Sequence, residues 1–277
     1  MAKQHGRSTE DVPRESKLDS GALKRGFAIL EILVEATHPL TSRDIAEQLQ
    51  LSDSTVYRLL QTMCEAGYVI RDDARRYHAA SKALLPLTIY HPLSVFRRDA
   101  FEILRAAREE SGLTASVVVF VGNERLVLDV AGIVGSLTPF YTTRLENAIH
   151  VSAAGKLLLL SKSPADRKAI LGPGPYKALT PETITDPAVF EEHLQQVAAA
   201  GFATNINENF IGLSAVAAPL ITGPNQIVGC LIVAGASDRV AGDRAIELGQ
   251  SLRNGAKLLS AGSAALRSVR AMFARMR

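Results

Sequence analysis

The chain has 277 residues, enough for two domains that each bury a core of their own. Its content of 47% hydrophobic and 21% charged residues is typical of a soluble globular protein, and a net charge of +3 does not by itself suggest a nucleic-acid partner. No apolar stretch approaches the roughly 20 residues of a membrane helix, and the first residues lack the apolar core of a secretion signal. We therefore expect a cytoplasmic protein without a membrane partner.

The beginning of the chain divides into a tail and a helix. Residues 1–19 are polar and charged without an apolar period, which predicts a disordered tail. After the tail, Leu23, Phe27, Leu30 and Val34 recur at intervals of four, three and four residues. This spacing predicts one apolar face of a first helix, which would contribute to a small helical core.

A second helix follows the first after Pro39, which bars a longer first helix. Thr41 or Ser42 can cap the second helix, and its inner face would carry Ile45 and Ala46.

Ser52 is a good N-cap for a third helix, and Gly67 is placed to end it in a left-handed conformation. The inner face of this helix consists of apolar residues at helical spacing, namely Val56, Leu59, Leu60 and Met63. Two short strands around a polar turn complete the segment 20–80. Three helices and a strand pair in this order predict a winged helix-turn-helix, whose third helix enters a DNA major groove.

The predicted DNA-binding segment has no net positive charge, because residues 1–90 contain 12 Lys and Arg against 12 Asp and Glu. Attraction to phosphate must therefore come from individually placed arginines. The candidates are Arg25, Arg43, Arg58, Arg75 and Arg76. Arg75 and Arg76 lie in the turn of the wing, where they would contact backbone or a minor groove; the alternative is that they are ordinary solvated turn residues.

The outward face of the third helix would read the DNA. Short hydroxyls near a helix start can contact phosphates or base edges, and Arg58 is the best candidate for a guanine or phosphate contact. Its alternative role is a surface ion pair. The predicted polar contacts from the two helices are Thr41, Ser42, Asp53, Ser54, Thr55, Tyr57, Arg58 and Gln61.

The rest of the chain predicts a linker and a second domain. Residues 81–95 would form a linker helix, and a further helix would run from Phe96 to Ser111. Pro86 and Pro92 are predicted to break the helical structure of this segment. Residues 96–277 then mix strands and helices, which predicts an α+β domain on an antiparallel or mixed sheet. The predicted strands are 115–121, 126–130, 137–141, 202–206, 215–220 and 227–234; the predicted helices begin after Ser152, at about Ala188 and at Asp243.

Four separated motifs resemble the IclR family of bacterial transcription regulators, in the same order along the chain. They are LKRGFAIL at 23–30, STVYRLL at 54–60, HVSAAGK at 150–156, and GFA with Glu208 and GLSAVAAP in 201–219. The resemblance covers about residues 20–266. It implies a GAF-like effector-binding domain for the second domain, and homodimers or dimers of dimers on double-stranded operator DNA.

The resemblance also implies a pocket for a small organic acid. The acid end would lie at the helix start formed by Ala153, Ala154 and Gly155, because amides at a helix N-terminus bind anions. The further pocket positions implied by the resemblance are Asn205, Ala215, Ile232 and Ala234, with Phe140 and Tyr141 on a lining strand. One of those two aromatic residues is expected to point inward; the alternative for both is ordinary core packing.

Two departures from the family pattern bear on specificity. Asp53 stands where members often carry lysine; it either suits the helix dipole or accepts a hydrogen bond from a cytosine amino group. The pocket positions carry an amide or apolar side chains where members that bind small polar acids tend to have Asp, Cys and Ser. We therefore expect an effector with one acidic end and an aromatic or branched apolar body. A small polar aliphatic acid is the alternative.

Other functional classes fit the sequence less well. His150, Ser152 and Lys156 are near one another, but no nucleophile elbow surrounds the serine, so an enzyme is not expected. Cys64 and Cys230 are too few for a disulfide framework or a zinc site and are predicted to be inert thiols, and we expect no cofactor or metal. The overall prediction is a ligand-responsive repressor of a catabolic operon. A DNA-binding protein without an effector remains a further alternative.

Overall fold

The computed structural model describes residues 16–36, 38–84, 89–132, 145, 147–224 and 226–273. The chain forms two compact units, residues 1–88 and residues 89–277. None of the helices in these described ranges is long and apolar enough to cross a membrane. The strand predicted at 137–141 lies outside the described residues.

The first unit contains the predicted helices and wing. Helices α1 (Ser16–Glu35), α2 (Ser42–Leu49) and α3 (Asp53–Glu65) precede strands β1 (Val69–Arg71) and β2 (Tyr77–Ala79). The two strands pair antiparallel, and Leu40 forms an additional bridge to Tyr77 that the sequence did not predict. This bridge ties the wing to the segment before α2. The core is built from buried side chains of all these elements, chiefly Ile29, Leu33, Ile45, Val56, Leu60, Val69 and Tyr77.

The caps of α2 and α3 follow the predicted chemistry. Thr41 forms a capping box with Asp44, in which the Asp44 amide donates to Thr41 Oγ1 at 3.2 Å and the Thr41 amide donates to the Asp44 carboxylate at 2.8 Å. These bonds hold the pKa of Asp44 below its usual value. Ser52 caps α3, and Gly67 follows that helix at φ +77°.

The orientation of α1 differs from the sequence prediction. Leu23, Phe27 and Val34 are 62%, 58% and 52% exposed, whereas Ile29 and Leu33 supply the buried face. The helix is apolar on two sides, so its spacing pattern alone did not decide which side faces the domain's own core. Helix α1 also begins at Ser16, inside the predicted tail, because no proline or glycine interrupts residues 16–20.

The predicted linker helix over 81–95 is not continuous among the described residues. A short 3-10 helix spans Ser81–Leu84, and α4 (Pro92–Ser111) begins four residues before the predicted start at Phe96. Pro92 does not break a helix, contrary to the prediction. It instead occupies the first turn, where a proline costs no hydrogen bond, and His91 provides the N-cap.

The second unit is built on a five-stranded antiparallel sheet in the order β4-β3-β7-β6-β5. The fold class and the antiparallel alternative are therefore confirmed. Alternating residues of the central strands point to opposite faces. One face packs with α4, α8 and α9 in a large apolar cluster, and the other packs with α5.

Most helices and strands of this unit begin or end a few residues beyond the predicted bounds. The strands are β3 (Thr114–Val121), β4 (Glu124–Ala131), β5 (Ala203–Phe210), β6 (Leu213–Ile221) and β7 (Ile227–Ala236). The helices after α4 are α5 (Ala153–Leu160), α6 (Pro164–Leu171), α7 (Pro187–Ala200), α8 (Asp243–Gly262) and α9 (Ala264–Phe273). Helix α6 was not predicted, because none of its residues is buried and no apolar period marks it.

Candidate nucleic-acid interface and effector site

The polar residues on the outward surface of α3 differ in how far their side chains are exposed to solvent. Asp53, Ser54 and Arg58 are exposed, and Tyr57 is 45% exposed. Gln61 is half-buried, so it is less outward than predicted.

The hydroxyl groups near the helix starts are partly used in capping. Ser52 Oγ lies 2.8 Å from Thr55 Oγ1 and 3.3 Å from Ser54 Oγ, and Thr41 Oγ1 donates to Asp44 at 2.8 Å. Ser42 lies in the first turn of α2 and is half-buried. Ser52 rather than Asp53 caps α3, so Asp53 interacts with that helix end through its charge in the first turn.

The five candidate arginines fall into two groups. Arg43 pairs with Glu47 at 3.4 Å and Arg76 pairs with Asp72 at 2.9 Å, which reduces the charge that each offers to a phosphate. Arg25, Arg58 and Arg75 are exposed and make no ion pair within the described parts of the chain. The alternative role of Arg58, a surface ion pair, therefore has no acidic partner among the residues that the structure describes.

The wing turn is stabilised by Asp72 and contains a strained arginine. The Arg76 amide donates to Asp72 Oδ1 at 2.8 Å and the Arg76 guanidinium donates to Oδ2 at 2.9 Å, which lowers the pKa of Asp72. Arg75 adopts φ +62°, a left-handed conformation that costs a side-chain-bearing residue about 1–2 kcal/mol.

We expect Arg75→Gly to separate binding from stability. Relief of the left-handed strain offsets the greater entropy of glycine in the unfolded chain, so the free energy of unfolding should stay within about 1 kcal/mol of the parent. Operator affinity should fall and the salt slope of binding should decrease by about one unit. Fluorescence anisotropy at several salt concentrations measures both quantities, with Ala74→Gly in the same turn as the control. An unchanged slope would leave Arg75 as a solvated turn residue.

The predicted effector residues of the second unit converge on one face of its sheet. Asn205 pairs with Ala215, and Ala215 pairs with Ala234, so the three form one row across β5, β6 and β7. Ile232 lies two residues from Ala234 on the same face, and its cluster includes Ala153 of α5. Phe140 and Tyr141 lie outside the described residues.

The start of α5 is a buried helix N-terminus. Ser152 caps it by accepting from the Gly155 amide at 3.0 Å. The Ala153 and Ala154 amides make no hydrogen bond with any other residue that the structure describes, and both alanines are at most 2% exposed. Buried amides without partners form an anion seat at the positive end of the helix dipole. Gly155 is required there, because a Cβ would lie 1.8 Å from the Ile149 carbonyl oxygen.

A buried ion pair between α5 and β5 lies next to this helix start. Lys156 Nζ lies 2.5 Å from Glu208 Oε1 and donates to the Thr204 carbonyl at 2.9 Å; its side chain is fully buried. The Glu208 amide donates to Asn205 Oδ1 at 3.0 Å, so the pair also fixes the Asn205 side chain. Burial raises the pKa of Glu208 and lowers that of Lys156, while each charge partly offsets the effect on the other.

The sequence did not single out Glu208 as the partner of Lys156, although it lies in the C-terminal motif. The signal was an unexplained acidic residue in a strand with buried neighbours. His150 hydrogen-bonds the Lys177 carbonyl through Nε2 at 3.0 Å, and Ser152 is committed to capping. The cluster that would have suggested a nucleophile and base is thus used structurally.

His193 makes the second unit sensitive to acid. Burial, together with the nearby Lys156 charge, lowers the pKa of His193 to about 4 from 6.5. His193 is therefore harder to protonate in the folded state than in the unfolded state. The free energy of unfolding is unaffected by this difference above pH 6.5 and decreases as the pH falls from 6.5 toward 4.

We expect the parent to lose up to about 3 kcal/mol of unfolding free energy relative to His193→Gln between pH 6.5 and 4, because the folded state binds the proton less readily than the unfolded state over this range. Urea denaturation followed by circular dichroism suits a chain without tryptophan. Parallel pH curves for the two proteins would contradict this assignment.

Arg125 of β4 was also missed, although it lies at the site. Arg125 is 5% exposed. Its guanidinium donates to Asn147 Oδ1 at 2.9 Å, to the Ser152 hydroxyl at 2.5 Å, and to the Leu145 and Asn147 carbonyls. The sequence signal was weak, because β4 also contains Glu124 and Asp129, and only the structure shows that Arg125 is the buried charge among them. The two cysteines are free thiols; Cys230 is buried on the α5 face and Cys64 is half-buried.

Two family models match these two units. The model of the IclR helix-turn-helix domain matches residues 22–73, and that of the bacterial transcriptional regulator IclR C-terminal domain matches residues 98–261, more than half of the chain. The chain belongs to the IclR family. Similar proteins include the HTH-type transcriptional regulator BhcR of Paracoccus denitrificans, 30% identical over 250 residues with 89% of each chain covered. The HTH-type transcriptional repressor AllR of Escherichia coli is 26% identical over 265 residues, covering 93% of this chain and 95% of AllR.

Solved structures of other IclR proteins share the fold. An IclR homologue from Microbacterium hydrocarbonoxydans, complexed with 4-hydroxybenzoate, has a TM-score of 0.75 at 21% identity and covers 89% of this chain and 99% of its own. The IclR protein of Thermotoga maritima has a TM-score of 0.67 at 24% identity, covering 87% and 98%. This IclR-family chain is a ligand-responsive, DNA-binding transcriptional regulator and not an enzyme.

Proposed function

We propose that the protein represses a catabolic operon and is controlled by a small organic acid with an aromatic or branched apolar body. The observation that carries this proposal is the pairing of two unpartnered amides at the start of α5 with the apolar side chains of Ala215, Ile232 and Ala234. The amides suit a carboxylate. These three apolar side chains would leave the ligand hydroxyls that face them without partners, at about 1–3 kcal/mol each.

Two relatives support the finer parts of the proposal. AllR is a repressor, which favours repression here. The Microbacterium homologue binds 4-hydroxybenzoate, an acid with an aromatic body, on the same fold. Repression is a property of AllR, and 4-hydroxybenzoate binding is a property of the Microbacterium homologue; for this chain they only support the proposal.

A thermal-shift panel tests the effector class. Aromatic and branched carboxylates should raise the unfolding temperature and release operator DNA in anisotropy measurements, whereas hydroxylated aliphatic acids should do neither. Stabilisation by the hydroxylated acids alone would refute the proposed effector class. Tighter DNA binding with an effective acid would refute repression relieved by that acid.

One observation favours a small polar acid instead. Strand β3 places Thr114 beside Ala234 and Ser116 beside Ile232, so both hydroxyls lie on the α5 face of the sheet. Ser116 is fully buried, and its Oγ has no hydrogen-bond partner in the described structure. A ligand hydroxyl could satisfy it. In the same panel, Ser116→Ala should then abolish stabilisation by hydroxylated acids only.

The DNA contacts are proposed to come from α3, the start of α2 and the wing, with Arg58 and Arg75 supplying unpaired charge. Because the first unit lacks net charge, we propose that it binds as a homodimer or a dimer of dimers, which doubles the contacts. The exposed Leu23, Phe27 and Val34 face of α1 supports self-association, since an apolar stripe on a helix is costly to leave in water. Light scattering of the full chain measures the oligomeric state.

A further inference from the structure

Arg125 carries a buried positive charge whose partners are all neutral. The four groups it contacts through its terminal nitrogens are two backbone carbonyls, an amide oxygen and a hydroxyl. Its Nε is buried and has no partner among the described residues, and no carboxylate of the described structure forms an ion pair with it. Buried cations normally have an acidic partner or an anion beside them.

The guanidinium is joined directly to the start of α5. Arg125 Nη1 donates to Ser152 Oγ at 2.5 Å, and the same oxygen accepts from the Gly155 amide at 3.0 Å. The positive end of α5, with the two unpartnered amides of Ala153 and Ala154, is therefore next to a full positive charge. Arg125 also contacts Leu145 and Asn147, so it draws the segment leading into α5 against the sheet edge.

An anion would complement the buried charge and the buried N–H donors of this site. Burial lowers the pKa of Arg125 to about 10, which leaves the guanidinium charged at neutral pH but without its hydration. The two buried amide donors and the Nε–H then have no acceptor among the described residues. An anion would complement the charge and supply acceptors for groups that an uncharged ligand satisfies less well.

We propose that Arg125 is an effector-binding residue, which makes the pocket at the start of α5 select an anion over its uncharged analogue. The inference rests on the proposed organic-acid effector and deepens it by naming the residue that reads the charge. Removing the guanidinium should weaken binding of a carboxylate by about tenfold to a hundredfold, as expected for a charge-assisted hydrogen bond. Binding of the matching carboxamide should change little.

The test compares acids with their amides on the full-length chain. Benzoate, 4-hydroxybenzoate, isovalerate and lactate are each paired with the corresponding primary amide, and binding is followed by thermal shift and calorimetry. For the parent we expect stabilisation by acids and not by amides. Arg125→Met should lose this discrimination, whereas Arg125→Lys, which keeps the charge, should retain most of it. Arg97→Met is the matched control, since Arg97 is an exposed arginine of the same unit paired with Asp129.

The outcomes separate the two proposals. If the acids still stabilise folded Arg125→Met and the corresponding carboxamides do not, Arg125 is not the residue that selects the anion. The proposed acid site is then unaffected. If Arg125→Met does not fold, Arg125→Lys decides: loss of discrimination in that variant would overturn the role of charge. If amides stabilise the parent as well as acids do, or if no acid of the panel stabilises it, the proposed acid site fails, and the role of Arg125 fails with it.

Discussion

Lys156→Met is expected to destabilise the second unit by about 3–5 kcal/mol, the usual cost of removing one member of a buried ion pair. Lys156 is fully buried, and its loss would leave the Glu208 carboxylate without its cation in a site where Oε2 already has no described partner. At about 2–4 °C per kcal/mol for a unit of this size, the midpoint of thermal unfolding should fall by roughly 6–20 °C. Calorimetry on the full chain measures this shift.

The double variant Lys156→Met/Glu208→Leu distinguishes a lost charge partner from lost packing. Replacing both charges with apolar side chains of similar volume should recover most of the stability, because neither charge then remains buried. Lys168→Met, at an exposed lysine of α6, should unfold like the parent. A double variant as unstable as the single one would show that the Lys156 packing and its bond to the Thr204 carbonyl matter more than the charge pairing.

Arg58→Ala is expected to weaken operator binding by about 1–3 kcal/mol, the range for one good bidentate contact. Arg58 is exposed on the outward face of α3 and has no ion pair in the described part of the chain, so its charge is available to DNA. A binding site selected from random duplexes provides the operator, and a gel-shift titration measures the affinity.

The pattern of the loss identifies the contact. A base contact relaxes specificity at one position, whereas a phosphate contact weakens all sequences and lowers the salt slope by about one unit. Arg105→Ala removes an exposed arginine from α4 and should leave the operator affinity unchanged. Unaltered affinity of Arg58→Ala for the selected operator would remove Arg58 from the interface.

The caps and the strands show where sequence reasoning is strong. Ser52, Thr41 and Gly67 mark helix ends through local chemistry, so they were recognised without any tertiary information. The strand segments of the second unit were found because alternation and continuous apolar runs are local signals. Pro92 shows the limit, since the same residue can break a helix or begin one, depending on the residues that follow.

By itself, the sequence determined the winged helix-turn-helix, the α+β second domain and the family to which the chain belongs, because local spacing and short motifs encode them. Only the tertiary structure decided which face of α1 is buried, since both faces are apolar and only packing chooses between them. It alone joined Lys156 to Glu208 and Arg125 to Ser152, pairs that are 52 and 27 residues apart. Burial gives these charges their energetic weight, and burial depends on distant segments meeting, which no local pattern of residues records.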